Sequence, residues 1–433
     1  MEHLFCPECG FKNEIKNKFC PGCGSKLSVN TEELVNLSND KDDSTSIENK
    51  TTGKDVYSGE EKNGVPHGFG IMTYANGEKY EGEWKDGMYN GQGITYLDGI
   101  KEYEGNWKDN MRNGHGIEFY ADRTYADRNN PISYEGNWKD DECNGHGILY
   151  SVDGDKDYEG NWKDGMYNGQ GISFDEDGNI EYEGNWKDFY LCDGIKYHKN
   201  GNKIYKGKWI YEKKNGYGIK YYENGNIEYE GNWKDDLRNG YGICYYENGV
   251  INLEGNWKNN MCNGHGVFYK EDGVKMLEGV FKDSKLIKNA TFYYDNGNKS
   301  YEGDTIYIDD EKTNLVRHGI GTGYFDNGKI DYKGNWEYDK FNGYGISYYE
   351  NGNIYYEGNF DAGKINGFGI MFNEDGSVNY KGNWKDGLRE GRGIQYYDDG
   401  YIEEGIFEED ELIEEFDDNK ESPIKPKDGA GLR

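Results

Sequence analysis

Four cysteines near the start of the chain have the types and spacing of metal ligands. Cys6 and Cys9 form one C-x-x-C pair, Cys20 and Cys23 form a second, and each pair reads C-P-x-C-G. The proline fixes one turn dihedral, and the glycine after the second cysteine can take the positive φ that lets backbone N–H groups face the sulfurs. Four thiolates on two such knuckles suit tetrahedral Zn²⁺. The sequence therefore predicts a structural zinc site.

Three other interpretations of these cysteines are weaker. A disulfide framework is typical of small secreted domains, but no signal peptide precedes the cysteines. A redox C-x-x-C would lie in a βαβ context, and catalytic zinc would need an open coordination position. The stretch resembles the short zinc-ribbon modules at the N-termini of many bacterial proteins. This resemblance implies a domain over residues 1–28 that zinc holds together, because so few residues bury little core.

Two polar segments flank the body of the chain. Residues 29–56 are acidic and without sustained periodicity, which predicts a flexible linker. Residues 411–433 are acidic and then contain proline, which predicts a disordered tail. Within that tail, Ile413 and Phe416 lie among acidic residues and could form a short docking motif.

One heptapeptide recurs through the body of the chain. YEGNWKD begins at Tyr103 and returns at Tyr134, Tyr158, Tyr182 and Tyr229, and looser copies extend the series in both directions with a period of 23 to 24 residues. Insertions near 121–133 and 305–319 interrupt the period. A fixed period of this length is the signature of a repeat architecture.

The composition indicates which kind of repeat this is. The chain has 41 Tyr, 17 Phe, 10 Trp and 65 Gly, while hydrophobic residues make up only 34% of it. Disordered chains are poor in aromatic residues, and compact cores draw on Leu, Ile and Val. Aromatic residues and glycine at a fixed period favour β-repeats in which each unit contacts its neighbours.

Alternation within one copy predicts a strand. In YEGNW, a strand places Tyr229, Gly231 and Trp233 on one face and Glu230 and Asn232 on the other. The glycine between the two aromatic residues leaves a hole, which we expect a ring from the adjacent repeat to fill.

A turn and a second strand complete the unit. Asn239-Gly240 tolerates positive φ and predicts the turn, and YGICYY predicts the strand that runs back, with Ile243 and Tyr245 on one face. Each unit is therefore predicted to be one β-hairpin. Successive hairpins would pair edge to edge into an antiparallel sheet.

The pattern Y-x-G-x-W-x-x-G-x-x-x-G-x-G resembles the MORN repeat (membrane occupation and recognition nexus). The resemblance covers about 57–410 in some fifteen copies. It implies an all-β fold, an elongated single-layer antiparallel β-hairpin repeat array with a groove along one side that serves as a scaffold or peptide-binding surface. A lipid-binding role has also been attached to the family.

The groove of such an array would be lined by the aromatic residues of the heptapeptide. We interpret these side chains first as structural rungs, and their contact with a protein or peptide partner as the functional alternative. The predicted partner-binding residues are Tyr80, Trp84, Tyr103, Trp107, Tyr134, Trp138, Tyr158, Trp162, Tyr182, Trp186, Tyr229 and Trp233.

Charge narrows the choice of partner. The formal net charge is −32, and nucleic acids and anionic lipids bind mainly through clustered Lys and Arg. The charge therefore argues against nucleic acid as a partner and disfavours membrane association. The sequence has no N-terminal apolar run and no stretch near the roughly 20 apolar residues of a membrane helix. We expect a cytoplasmic protein.

Other candidate sites favour ordinary structural roles. In the sequence pattern, Cys143, Cys192 and Cys262 occupy the same position of three different repeats. They are therefore too far apart to form a disulfide. We interpret them, together with Cys244, as packing or surface residues. His115, His146 and His265 each occupy a G-x-G centre that also holds many other residue types, which argues against a metal row. The acidic turns at 152–157 and 175–179 hint at calcium. With Gly178 as the sixth position of an EF-hand loop, however, Ser173 would be first and Gly184 twelfth, so both end carboxylates are missing.

No arrangement of nucleophile, base and orienting residue emerges from the spacing, and we predict no enzymatic activity. The preferred function is a scaffold that binds partner proteins along the aromatic-glycine groove, with the zinc ribbon as an accessory contact. A phosphoinositide-binding adaptor at the membrane and a self-assembling structural protein are the alternatives.

Overall fold

The computed structural model describes residues 3–5, 12–14, 54–120, 130–309 and 314–416. The predicted zinc ligands Cys6, Cys9, Cys20 and Cys23 lie outside these residues, as do nearly all of the predicted linker and the chain beyond 416. Those predictions stay predictions. At the N-terminus, the described residues form a short antiparallel pair in which His3 lies opposite Glu14.

Strands and turns make up the described residues, and the fold is all-β. The strands are β1 (His3–Phe5), β2 (Lys12–Glu14), β3 (Val56–Lys62), β4 (Val65–Thr73), β5 (Glu78–Lys85), β6 (Met88–Leu97), β7 (Ile100–Lys108), β8 (Met111–Phe119), β9 (Ile132–Lys139), β10 (Glu142–Tyr150), β11 (Lys156–Lys163), β12 (Met166–Phe174), β13 (Ile180–Lys187), β14 (Tyr190–Tyr197), β15 (Lys203–Ile210), β16 (Lys213–Tyr221), β17 (Ile227–Lys234), β18 (Leu237–Tyr245), β19 (Ile251–Lys258), β20 (Met261–Tyr269), β21 (Lys275–Lys282), β22 (Lys285–Tyr293), β23 (Lys299–Tyr307), β24 (Leu315–Tyr324), β25 (Ile330–Glu337), β26 (Lys340–Tyr348), β27 (Ile354–Asp361), β28 (Lys364–Phe372), β29 (Val378–Lys385), β30 (Leu388–Tyr396), β31 (Ile402–Glu408) and β32 (Glu411–Glu415).

The chain divides into two compact units. Unit 1 comprises residues 1–227 and 232–236, and unit 2 comprises residues 228–231 and 237–433. In unit 1, β3 to β16 pair with their sequence neighbours in an open antiparallel sheet of hairpins. In unit 2, β18 to β32 do the same. The predicted hairpin-repeat fold is confirmed.

Each repeat turns on two residues with positive φ. Between β7 and β8 these are Asp109 (φ 51°) and Asn110 (φ 67°). Two successive positive φ angles match the twist of the flanking strands, and Asp and Asn tolerate them best after glycine. Lys108 of the heptapeptide therefore ends the strand, and Asp109 is the first residue of the hairpin turn.

The turn predicted at Asn239-Gly240 is wrong. Both residues lie inside β18, and Gly240 has a φ of 98°. The corresponding Gly114 (φ 109°) lies in a bulge of β8, where the register skips between the pairs Gly105–Gly116 and Trp107–Arg112. Glycine is required there because the bulged backbone adopts a left-handed conformation. A pattern of turn-forming residues cannot by itself distinguish a bulge from a turn.

Both predicted insertions are shorter than predicted, because Ile132 and Ser133 of the first already belong to β9 and parts of the second lie in strands. Thr305–Tyr307 end β23 and Leu315–Gly319 begin β24, because Ile306 pairs with Val316 and continues the ladder. Only residues 308–314 connect these strands. The first insertion connects β8 to β9, and its residues 121–129 lie outside the described ranges.

The predicted start of the C-terminal tail is also too early. Glu411–Glu415 form β32, which pairs with β31 and places Leu412 opposite Phe407. Leu412 packs against the core cluster of unit 2, so this segment completes the last hairpin.

Candidate interaction surface

The tyrosine and tryptophan of the heptapeptide form the core of the sheet. Tyr158 is 0% and Trp162 is 6% exposed. The Tyr158 hydroxyl donates to the backbone oxygen of Asn161 (3.1 Å), and Trp162 Nε1 donates to the backbone oxygen of Gly147 in the preceding repeat (3.1 Å). Eight of the ten tryptophans make this bond to the preceding repeat, whereas Nε1 of Trp209 and of Trp384 has no partner within the described ranges.

The glycines of the repeat are required where the tyrosine ring lies. A Cβ on Gly160 would come within 2.7 Å of the Tyr158 hydroxyl, and a Cβ on Gly171 within 2.6 Å of Tyr158 Cε2. The ring that fills the space therefore belongs to the same repeat, and the prediction of a ring from the adjacent repeat is wrong. The next repeat contributes the edge of Trp186, whose ring centroid lies 5.7 Å from that of Tyr158.

The structure brings most of the predicted partner-binding residues of unit 1, from Tyr80 to Trp162 with Trp186 packed against them, together in one core cluster. Tyr80, Trp84, Tyr103, Trp107, Tyr134, Trp138, Tyr158, Trp162, Tyr229 and Trp233 are buried, and Tyr182 and Trp186 are half-buried. This burial supports the structural interpretation of the rungs. Contact of these side chains with a partner stays a prediction.

A second core position varies between repeats. Tyr167 stacks on Tyr158 with ring centroids 3.7 Å apart, whereas at the corresponding position the Arg112 guanidinium lies 4.4 Å from the Trp138 ring. We call this the stacking position. It accepts any side chain that can cover a ring, which explains why the sequence pattern leaves it open.

Two of the cysteines occupy the stacking position. Cys143 lies opposite Trp138 and Cys262 opposite Trp257, but opposite Trp186 the residue is Leu191. Cys192 is therefore not at the same repeat position, because β14 has one residue fewer in its bulge. Burial raises the pKa of Cys143 to about 12 and that of Cys262 to about 11, which keeps both thiols protonated and suits packing residues.

The opposite face of the sheet, which we call the outer face, carries a ladder of carboxylates and isoleucines. Cross-strand pairs link Glu104 to Ile117 and Ile117 to Glu135. In unit 1 this row comprises Ser58, Ile71, Glu81, Ile94, Glu104, Ile117, Glu135, Ile148, Glu159, Ile172, Glu183, Ile195, Lys206 and Ile219. The glutamates come from the YEG of the repeat, so most repeats contribute to an acidic stripe, whereas the copy at Tyr205 reads YKG and places Lys206 there.

Tyrosine hydroxyls hold several of these carboxylates in place. Tyr197 donates to Glu183 (2.7 Å), and Tyr293 donates to Glu278 (2.9 Å). Partial burial acts to raise the pKa of Glu278, but the Tyr293 hydrogen bond and the charge of Lys275 lower it on balance. Burial and the bond to Glu183 raise the pKa of Tyr197 to about 12. Lysines also pair with Glu81, Glu104 and Glu159. The stripe is therefore an ordered array of carboxylates, part of whose charge is balanced by neighbouring lysines.

A second row on the outer face consists of the centres of the G-x-G motifs. The backbone at these centres bulges away from the ladder and is held by hydrogen bonds from the asparagine of the heptapeptide. Asn106 Nδ2 donates to the backbone oxygen of His115 (3.1 Å), and Asn383 Nδ2 donates to that of Arg392 (3.2 Å). The side chains point outward, as the exposure of Phe69 (53%) and Phe368 (53%) shows. The row varies freely because it contacts no core.

Neither the histidines nor the acidic turns form a metal site in the described ranges. His115, His146 and His265 occupy the G-x-G row. The two acidic turns line one shallow cleft of about 490 Å³, with Asp153, Asp155 and Asp157 on one side and Asp175 on the other. No group of three ligating side chains is placed to hold an ion among the residues described.

Sequence reasoning missed the outer face as the candidate site. The signal was present, because the same alternation that buries Tyr and Trp of YEGNW directs Glu and Asn to the opposite face. What the alternation could not show is which glutamates align across strands.

We expect the buried tyrosines to make the array sensitive to alkali. Burial raises the pKa of Tyr332 and Tyr380 to about 12, above the ordinary value of about 10. Between these values the unfolded chain loses protons that the folded chain keeps, so stability is full below pH 10 and falls as the pH rises toward 12. Each such tyrosine would cost on the order of 2 kcal/mol by the upper end of this window.

Tyrosinate absorbance and circular dichroism, recorded together, measure this effect. The two signals should change together, and replacing Tyr332 and Tyr380 by Phe should move the transition to higher pH. Titration of the tyrosines at their ordinary pKa while the strand signal persists would contradict the expectation.

The described ranges contain no helix with the length and apolarity that a membrane crossing requires.

Comparison with protein families identifies the repeat. A sequence model described as the MORN repeat matches residues 57–79, 80–98, 103–125, 134–156, 158–180, 229–251, 254–275, 332–354, 356–378 and 380–400. A model described as a MORN repeat variant matches residues 214–235 and 317–338. Together these matches cover more than half of the chain.

Comparisons with individual proteins add little. No curated protein matches the chain. Among solved structures, the Photorhabdus luminescens Tc holotoxin pore is similar at 10% identity with a TM-score of 0.13, over 77% of this chain and 17% of that one. The chain thus spans about a sixth of the length of that structure, and the low TM-score supports no argument about fold or function.

Proposed function

Because this chain belongs to the MORN repeat family, we propose that it is a non-enzymatic scaffold that binds partner proteins along its repeats. The observation that supports this proposal best is the outer face, where most repeats add one ordered carboxylate and one outward side chain of variable type. MORN repeats are generally protein- or membrane-interaction repeats. Packing and turns account for the remaining residues of the heptapeptide.

Of the two faces of the sheet, the outer face is the better candidate for the binding surface. The tyrosines and tryptophans of the aromatic face are packed in the core. A partner that bound on this face would therefore contact only the clefts beside the rings. The outer face offers charged and exposed groups at every repeat without disturbing the core. We therefore propose that partners bind chiefly on the outer face, with the aromatic-glycine side as the alternative.

The carboxylates on the outer face of unit 1 indicate which kind of partner surface would bind there. Glu104, Glu135 and Glu159 lie at corresponding positions of three consecutive repeats. A basic surface would be drawn to such a stripe, since complementary charge accelerates encounter and fixes register. Anionic lipid headgroups would be repelled.

The N-terminal cysteines support a further part of the proposal. We propose that Cys6, Cys9, Cys20 and Cys23 bind structural Zn²⁺ and that this module is an accessory contact. The proposed compartment is the cytoplasm, where reduced thiols are available to zinc. Zinc content of the purified chain, measured with and without Cys6→Ser and Cys20→Ser, tests the site, and we expect one zinc per chain that both substitutions abolish.

Affinity capture from native lysate tests the scaffold role. The bait is the full chain, compared with a variant in which Glu104, Glu135 and Glu159 are replaced by Lys. A matched control replaces Glu176, Glu271 and Glu350 by Lys, because these residues lie exposed in the turns between hairpins and change the net charge equally. We expect a stoichiometric partner that the first variant loses and the control retains.

Other outcomes would redirect the proposal. Equal retention by both variants would argue against the acidic stripe, and no partner above background would argue against the scaffold. Flotation with liposomes that depends on anionic lipid would favour the phosphoinositide adaptor. A sedimentation coefficient that increases with protein concentration would favour self-assembly.

A further inference from the structure

The last repeats of unit 2 carry an apolar row on their outer face. Ile320, Tyr344 and Phe368 are the G-x-G centres of β24, β26 and β28, and they are 69%, 53% and 53% exposed. In three repeats of unit 1, the same position holds Gln92, His115 and His146. Three large apolar side chains that stand outward in consecutive repeats form a patch of the kind that marks binding sites.

We propose that this patch binds an amphipathic α-helix of a partner protein, with an apolar stripe on the row and acidic residues beside it. The proposal rests on the scaffold role and specifies one partner for it. The patch is defined by Ile320, Tyr344, Phe368 and Arg392 of the G-x-G row, together with the charged residues that flank them.

The spacing of the row comes from the sheet. Ile320 lies opposite Asn335, Tyr344 opposite Asn359, and Phe368 opposite Asn383, so the row advances by two strands per step. Two strands span about 10 Å. The asparagines hold the backbone, since Asn359 Nδ2 donates to the Phe368 oxygen (3.5 Å) and Asn335 Nδ2 to the Tyr344 oxygen (3.4 Å). The side chains therefore stand at a regular pitch.

A charged row runs beside the apolar one. Lys333 pairs with Ile346, Ile346 with Glu357, and Ile370 with Lys381, so the signs alternate where earlier repeats of unit 2 have only glutamate. This row lies two residues farther along the strands, about 7 Å from the first. The Tyr344 hydroxyl donates to Glu357 (2.5 Å), and Arg392 pairs with Glu404 (2.6 Å).

The two lysines give the patch its charge preference. Within the described ranges neither Lys333 nor Lys381 forms an ion pair, and both are exposed. The neighbouring carboxylates are engaged by Tyr344 and Arg392. Acidic side chains of a partner would therefore meet two available ammonium groups about 20 Å apart, two repeats along the sheet.

A helix matches both the pitch and the width of the patch. Seven residues of an α-helix rise about 10.5 Å, so every seventh side chain meets one member of the row. With side chains, a helix is about 10 to 12 Å wide and covers both rows at once. A polyproline helix repeats every 9.3 Å or so but is too narrow to contact both rows. One apolar side chain would enter the cleft of about 210 Å³ lined by Phe368, Lys381, Arg392 and Ile394.

Peptide selection on the intact chain tests the proposal. A displayed library of helix-forming peptides of about 20 residues, long enough for three contacts at this rise, is selected against the full chain. Selected peptides are then measured by fluorescence anisotropy with Phe368→Ala, with Lys333→Glu plus Lys381→Glu, and with Phe69→Ala. Phe69 is the matched control, because it has the same motif position and the same 53% exposure at the other end of the repeats.

We expect peptides with apolar residues every seven positions and acidic flanks. Phe368→Ala should weaken their binding by about tenfold or more, as expected for an aromatic anchor. The lysine reversals should weaken it and reverse its salt dependence, since added salt would then screen a repulsion, and Phe69→Ala should leave it unchanged. Circular dichroism would show that each variant is folded.

Two results would overturn the inference. Selected peptides that bind equally well to Phe368→Ala would show that the patch is not the site, and enrichment of proline-rich peptides with a three-residue period would show that its occupant is not a helix. The scaffold role is tested separately. If a lysate partner is retained by Phe368→Ala but lost with the Glu104, Glu135 and Glu159 reversals, the scaffold stands and this docking site fails.

Discussion

Replacing Trp162 by alanine should destabilise its hairpin by about 3 to 5 kcal/mol, the usual cost of truncating a buried tryptophan. Trp162 is 6% exposed, its indole edge packs on Tyr158 and Tyr134, and its Nε1 donates to Gly147 in the preceding repeat. The substitution thus removes packing within one repeat and a hydrogen bond between two. Hydrogen exchange of the amides in β11 and β12 would measure the loss.

Trp162→Phe is the matched control. The chain itself has Phe281, Phe360 and Phe407 at this position, all buried, so the site accepts a smaller ring. We expect a loss of about 1 to 2 kcal/mol from the missing hydrogen bond and the smaller volume. The alanine effect should be confined to adjacent hairpins, because repeats contact only their neighbours. Equal losses for alanine and phenylalanine would contradict this account.

Replacing Gly171 by alanine should cost about 3 kcal/mol, near the upper end of overpacking effects. The new methyl group would lie within 2.6 Å of Tyr158 Cε2 and closer still to Cζ and the hydroxyl oxygen of that side chain. The ring cannot move aside, because Tyr167 stacks on it 3.7 Å away. Chemical denaturation and hydrogen exchange of β11 to β13 would report the loss.

A double-mutant cycle with Tyr158→Ala isolates the cause. If the ring is what the methyl group meets, Gly171→Ala should cost much less once Tyr158 is absent. Gly178→Ala serves as the control, since no atom lies within 4 Å of its Cβ position and only its φ of 78° would be strained. That strain costs about 1 kcal/mol. Additive losses in the cycle would refute the role assigned to Gly171.

These two predictions bear on function because they separate the faces of the sheet. Trp162 and Gly171 maintain the core, and their substitution should change stability before it changes binding. Glu104 and Phe368 face outward, and their substitution should change binding while the fold persists. If a partner bound on the aromatic side instead, substitution of Trp162 or Gly171 would change binding, and substitution of Glu104 or Phe368 would not.

Local geometry made much of the fold predictable. A strand alternates its side chains with a period of two, so YEGNW alone assigns Tyr229, Gly231 and Trp233 to one face, and their burial confirms it. The turn was harder to predict, because Asp, Asn and Gly all tolerate positive φ. Asn239-Gly240 therefore looked like the turn although it lies within a strand.

The sequence by itself determined the repeat, the hairpin unit and the chemical type of each face, since these follow from periodicity and from the geometry of a single strand. Only the tertiary structure decided what depends on register between strands. It placed the tyrosine ring over the glycines of its own repeat and aligned Glu104 with Ile117 and Glu135 on the outer face. It also set the charged row of Lys333, Glu357 and Lys381 beside Tyr344 and Phe368. Register arises from contacts between repeats, and a one-residue bulge shifts it without altering the pattern of any single strand.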